Sequence, residues 1–331
     1  MKRLFLLTAL PLGLAVPLAA QEKPVTPDDV VAAAAPEEWV EIAPDDLLVM
    51  ELAPDADGNA RQVVIQLMPA PFSQPWVENI RTLARAHWWD GMSIYRVVDN
   101  WVVQWGGGDP ELGMDPGPLP EGVEAPVASY TVEVPPSMVA QIQDIGSQMR
   151  MEVGDDDFPP PANYQMHIDP YSGLSLHHQG WPVGFGGRYP QTFPIHCYSY
   201  VGVARDLAPD TGTGSELYAV IGHAPRQLDR NIAVVGRVID GMEHLSTLRR
   251  GTGDAGVYQS RAEDTPIVSV RLGSEVEAFP QPRYEFLSTE SESFARYVQV
   301  RANRNDTFYT VPAGGVDICN VQVPIRQIPG D

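Results

Sequence analysis

Thirty-two prolines and 29 glycines are spread through 331 residues without a three-residue period. Proline ends a helix by removing an N–H and crowding the preceding turn, and glycine weakens one through its backbone freedom. A chain interrupted this often is left with short extended segments joined by turns, so the expected class is mainly β. Apolar residues (44%) and charged residues (20%) are too evenly balanced for a disordered chain or a coiled coil. The formal charge of −21 repels phosphate backbones and sets nucleic acid aside as a partner.

At the N-terminus Lys2 and Arg3 precede an apolar run, Leu4 to Leu18, followed by the small residues Ala19 and Ala20. This is the order of a secretory signal over residues 1–20, which predicts an exported protein, periplasmic or secreted. No later stretch reaches the roughly 20 apolar residues of a membrane helix, so no membrane span is expected. In an oxidising compartment Cys197 and Cys319 either bond to each other or remain two separate buried thiols, and the sequence leaves both open. Residues 21–45, rich in Ala, Pro, Asp and Glu, read as a linker with one short helical turn.

Eight runs have strand character: Leu47–Leu52, Gln62–Met68, Met92–Val98, Trp101–Gln104, Tyr198–Ala204, Glu216–Ile221, Asn231–Val238 and Pro266–Leu272. Between the first two, Asp57-Gly58 suits a hairpin turn. A helix is predicted after Ser73, with Ser73 as cap, Pro75 in the first turn and Trp76, Ile80 and Leu83 on one face. A second is expected with Asp240 as its cap, and a third behind the capping box Thr289-x-x-Glu292. Two β-like runs near Phe308–Val311 and Ile318–Val323 complete the tail. Residues 113–190 differ from the rest: they are rich in proline, carry an acidic run at Asp155–Asp157, and hold one amphipathic helix marked by Met138, Ile142, Ile145 and Met149. Strands resume afterwards without a new start, so the stretch reads as an insertion within one domain.

Several motifs carry little. Gly251 to Gly256 has the spacing of a dinucleotide loop but follows a helix, and reads as a C-cap and turn. Asp55 to Asn59 begins like a calcium loop, yet Ala60 stands where glycine is needed and Gln66 at the twelfth position. His177-His178 lacks a third ligand at a useful spacing and reads as a solvated loop pair. Neither Gly-x-Ser-x-Gly nor His-Glu-x-x-His occurs, so the commoner hydrolase chemistries lack their signatures. Asn305-Asp-Thr307 is a glycosylation sequon.

Three separated segments do carry weight. MSIYRVVDNWVVQ (92–104), continued by Gly106, Gly107, Gly108 and Asp109, is similar to the F-H-R-V-I-x-x-F-x-x-Q-G-G-D segment of the cyclophilin family of peptidyl-prolyl isomerases. GVARDLAPDTGTGSELY (202–218) and HAPRQLD (223–229), with VGRVIDGM (235–242), resemble that family's next two segments in order. The resemblance implies a closed eight-stranded antiparallel barrel capped by helices over residues 46–272, interrupted by the insertion at about 113–190 and followed by a C-terminal extension, 273–331. It implies rotation of X–Pro bonds in proline-containing polypeptides, a reaction that breaks no bond and needs no metal or cofactor. Arg96 is then the donor that weakens amide resonance, Gln104 a hydrogen-bond partner of the substrate backbone, and Trp101, Tyr218 and Leu228 the walls of a proline pocket. Several positions depart from the pattern: Tyr95 replaces the usual His, Glu216 stands in the substrate-binding row where Gln is usual, Gln227 and Ile232 replace aromatic or His residues that often line the groove, and Trp101 and Tyr218 stand where Phe is usual. A carboxylate is thereby expected near Arg96, and pairing with it would draw the guanidinium away from substrate. That pairing, with the insertion, motivates the alternative of a catalytically weak module that binds proline-containing segments or a protein partner.

Overall fold

A computed structural model describes residues 24–108, 113–127, 129–143, 167–186, 191–276, 283–306 and 308–329. The expected signal segment, Ile145, Met149 and the acidic run at Asp155–Asp157 lie outside the described residues. Numbered in chain order, the strands form three sheets. The barrel takes β2 (Leu47–Leu52), β3 (Arg61–Leu67), β4 (Ser93–Val97), β5 (Val102–Gly106), β11 (Tyr200–Val203), β12 (Leu217–Val220), β13 (Val234–Asp240) and β14 (Thr265–Leu272). It closes antiparallel in the order β11-β12-β5-β4-β14-β2-β3-β13, with β13 pairing back to β11. Closure leaves no barrel strand with an unpaired edge.

Inward-facing residues such as Met50, Val63, Ile94, Val103, Trp105 and Ala219 fill the barrel. The helix Gln74–Arg85 caps it, with Trp76, Ile80 and Leu83 fully buried on its predicted face. Ser73 precedes this helix in a left-handed conformation, φ 53°, and its side chain does not cap it. Gln74 satisfies carbonyls instead, donating to Met68 O and Phe72 O. The Asp57-Gly58 hairpin is present, with Asp55 Oδ1 accepting from the backbone N–H groups of Asp57 and Asn59. That role as a turn acceptor accounts for the acidic start of the segment.

The second sheet carries β6 (Val132–Glu133), β7 (His167–Asp169), β8 (Ser172–His178), β9 (Trp181–Phe185) and β10 (Gln191–Pro194), ordered β6-β10-β9-β8-β7. Its Leu176, Trp181 and Val183 share one apolar core with the barrel. His177 and His178 are therefore not a solvated loop pair. Both are buried on β8, where His177 Nε2 meets Val321 O at 3.1 Å and His178 Nδ1 meets Gln141 Oε1 at 3.0 Å. The buried Arg237 of β13 ties this sheet to the barrel, donating to Gln66 Oε1 and Gly180 O and lying 4.4 Å over the Trp181 ring.

The third sheet is β1 (Trp39–Glu41), β15 (Tyr284–Leu287) and β16 (Ile325–Gln327), with β15 central. Residues 24–45, expected as a linker, are folded. The helix Pro27–Ala33 has a capping box at Thr26 and packs against the helix Glu292–Ala302, while β1 pairs with β15. Their apolar faces join Leu47 and Val64 of the barrel exterior in a second core around Trp39, Phe286, Phe294 and Tyr297. The cap of Glu292–Ala302 is Ser291, accepting from Phe294 N, because the Thr289 hydroxyl accepts from Gly180 N instead. Asp240 caps nothing either, since its carboxylate accepts from the Tyr284 hydroxyl at 2.7 Å. Neither predicted tail run is a strand: 318–320 is a 3-10 turn, 308–311 is irregular, and the pairing falls at Ile325–Gln327. Cys197 and Cys319 are bonded to each other, with Cα atoms 5.2 Å apart.

Candidate active site

Sheet register sets the site. Arg96 on β4 pairs with Gln104 on β5, and Gln104 pairs with Tyr218 on β12. Side chains directly across neighbouring strands share a face, so these three form a row across the outside of the barrel. The same face gathers a small apolar cluster of Val102, Tyr218 and Val220, with Leu228 and Ile232 packed on it, separate from the barrel interior. Trp101, 41% exposed, stands at its rim. All of these residues except Val220 line one groove of about 670 Å³, together with Tyr95, Glu216 and Leu119 from the proline-rich insertion. Gln227 is exposed and does not line it.

The guanidinium of Arg96 is held at two points. Nη1 donates to Gln104 Oε1 at 2.8 Å, and Nε donates to the Ala255 carbonyl at 2.7 Å. Sequence reading missed Ala255 because it lies in the Gly251–Gly256 turn, far along the chain, and acts through its backbone. Burial lowers the affinity of this guanidinium for its proton, though its ordinary value is so high that the group stays charged. Two of its five N–H donors are engaged in these bonds.

Glu216 lies in the same groove as Arg96, but the two do not form an ion pair. A register irregularity between Ile94 and Arg96 frees Tyr95 from the pleat. Its hydroxyl donates to Glu216 Oε2 at 2.7 Å and accepts from Gln104 Nε2 at 2.6 Å. The other carboxylate oxygen accepts from Gly108 N at 2.7 Å. Room for this comes from Gly106, where φ is +146° and a Cβ would overlap the Glu216 carboxylate. Tyr95 and Glu216, two of the departures from the family pattern, therefore act together, the Tyr95 hydroxyl and, at 3.4 Å, the Gln104 amide donating to the same carboxylate oxygen. Burial raises the Glu216 carboxyl above the ordinary range and outweighs the hydrogen bonds from Tyr95 and Gly108 that favour its charge. Burial also raises the Tyr95 phenol, and the neighbouring Glu216 charge adds to it, so Tyr95 remains a donor.

Comparison with known proteins gives a consistent picture. Residues 59–272 match the profile of the cyclophilin type peptidyl-prolyl cis-trans isomerase family. The structure is similar to cyclophilin AquaCyp293 from Hirschia baltica, with TM-score 0.59 and 17% identity, over 93% of this chain and 99% of that one. At that identity the likeness concerns the fold. A cyclophilin type peptidyl-prolyl cis-trans isomerase from Cryptosporidium parvum matches 69% of this chain and 96% of its own, at 12% identity and TM-score 0.36. No curated protein matches the sequence.

Proposed function

The chain belongs to the cyclophilin-type peptidyl-prolyl cis-trans isomerase family, and from that premise we propose that Arg96 catalyses X–Pro rotation in exported proteins. Amide resonance sets a barrier of about 18–20 kcal/mol. Rotation through the twisted form localises the lone pair on the prolyl nitrogen, and a donor engaging that nitrogen or the adjacent carbonyl stabilises the twisted form over either planar one. The carrying observation is that a guanidinium anchored by Gln104 and Ala255 shares a groove with an apolar hollow on the same barrel wall. Val102, Tyr218 and Leu228 receive the pyrrolidine ring, Trp101 closes the rim, and Arg96 meets the amide at the open side. Gln104 is occupied with Arg96 and Tyr95, so its first role is to aim the guanidinium, and a hydrogen bond to the substrate backbone requires it to exchange one of these partners. Glu216 serves as a buried scaffold.

The alternative of a catalytically weak module rested on the insertion and on Glu216 neutralising Arg96; against the second ground, the Glu216 carboxylate accepts from the Tyr95 hydroxyl and Gly108 N. Export is supported by the N-terminal pattern of residues 1–20 and by the Cys197–Cys319 bond, which suits an oxidising compartment. Cell fractionation, with a mature N-terminus near Gln21, tests that part. A coupled proline-peptide assay tests the chemistry. Removing one preorganised donor costs about 10²–10³ in rate elsewhere, so Arg96→Ala is expected to lose that much of kcat/KM. A wild type indistinguishable from the uncatalysed rate defeats the reading.

A further inference from the structure

A line of buried polar side chains runs from Tyr218 behind the apolar hollow, and beyond Tyr218 none of it takes part in the mechanism above. Tyr218 lines the groove, while its hydroxyl lies 3.0 Å from Nε2 of the buried His196. His196 Nδ1 lies 2.9 Å from Asp229 Oδ1, which also accepts from the His196 backbone N–H at 2.9 Å. The second Asp229 oxygen accepts from Arg226 Nε at 2.5 Å, and Arg226 Nη1 reaches Asp169 of β7 at 2.7 Å. His196, Asp229 and Arg226 are each more than nine-tenths buried.

The chemistry of this line is directional. A carboxylate only accepts, so His196 Nδ1 carries the proton that faces Asp229. In the neutral ring Nε2 is then an acceptor, and the Tyr218 hydroxyl is its donor. The His196 and Tyr218 rings stack at 6.4 Å between centroids and 10° between planes. Strand β11 also presses close, since a Cβ at Gly202 would overlap the Tyr218 hydroxyl and the ring carbon that carries it. A phenylalanine in this position would need no partner, whereas a buried tyrosine hydroxyl does.

We propose that His196, oriented by Asp229, is a positioning residue for the isomerase, fixing the Tyr218 ring and hence the depth of the proline hollow. This rests on the reading of Tyr218 as a pocket wall. Without His196 the hydroxyl is left unpartnered inside the wall, and the ring tips toward the groove to find water, narrowing the hollow for the pyrrolidine. The loss falls on substrate affinity, because Arg96 is anchored by Gln104 and Ala255 and by nothing in this line.

The test is a cycle of His196→Leu, Tyr218→Phe and the double variant, with His196→Gln as the conservative replacement. KM and kcat are measured separately, and peptide affinity is measured by calorimetry. His196→Leu is expected to raise KM and the dissociation constant about tenfold with kcat within about twofold, the scale of one unsatisfied buried hydroxyl. Tyr218→Phe placed in that background is expected to recover most of the loss, and His196→Gln, which both donates and accepts, to retain most of the affinity. An unchanged affinity in His196→Leu, or a double variant as impaired as the single, overturns the proposal. Should His196→Leu not fold, the His196→Gln and double variants decide in the same terms. Absence of turnover in wild type defeats the isomerase reading instead, and the calorimetric cycle still judges His196.

Discussion

Replacing Glu216 by Gln probes the electrostatics beside the arginine. The wild-type carboxyl holds its proton to higher pH than an ordinary glutamate because burial outweighs the hydrogen bonds to its charged form. A carboxyl with a raised folded-state pKa adds stability that is complete below the ordinary carboxylate range, and this contribution is lost as pH rises through the folded-state value. Each pK unit of elevation corresponds to about 1.4 kcal/mol. Gln has no such proton, so relative to wild type the variant gains as pH rises. Its hydrogen bonds act in the other direction at every pH. The amide oxygen still accepts from Gly108 N, but the –NH₂ facing Tyr95 cannot accept, and the phenol loses its acceptor. Below the ordinary carboxylate range that loss is one neutral hydrogen bond, about 0.5–1.5 kcal/mol. Urea unfolding of both proteins between about pH 4 and pH 8 is therefore expected to show a variant less stable at the acid end, with the deficit shrinking or reversing toward neutrality. Parallel curves at all pH values, or a deficit that grows with pH, refute the assignment of Glu216 as a carboxylate whose charge is disfavoured by burial.

Cys319→Ala opens a loop spanning 122 residues, and chain-entropy scaling places the cost within about 2–5 kcal/mol. Calorimetry is expected to show a lower Tm, with reductant no longer affecting it. Leu228→Ala removes an apolar wall of the hollow beside Tyr218. KM for a proline peptide should rise about 10-fold or more with kcat little changed, and an unchanged KM places the ring elsewhere.

All eight barrel strands were legible as short β-type apolar runs between turn residues, near-continuous where both faces are covered, as in β2, β3, β11 and β12. The row of Arg96, Gln104 and Tyr218 was legible through motif order. The separation of Glu216 from Arg96 was not, because it depends on an irregularity at Tyr95 that leaves no compositional mark. Local signals failed where a distant partner outbid them. Thr289 and Asp240 are good caps by type, yet one serves Gly180 and the other Tyr284. His177 and His178 look solvent-loving in isolation, and only the sheet around them, with Val321 and Gln141 across from their rings, makes their burial tolerable. The linker reading of 24–45 failed likewise, since a three-residue strand declares itself only beside its partner.

That partner bears on the order of assembly. Strand β1 lies near the start of the chain and its neighbour β15 near the end. Synthesis proceeds from the N-terminus, so Trp39 and the outward Leu47 and Val64 wait without cover until Phe286 and Phe294 have been made. The barrel can close while this seam is still open, leaving a sticky flank on a finished cylinder. The segment from Tyr284 onward is what seals it.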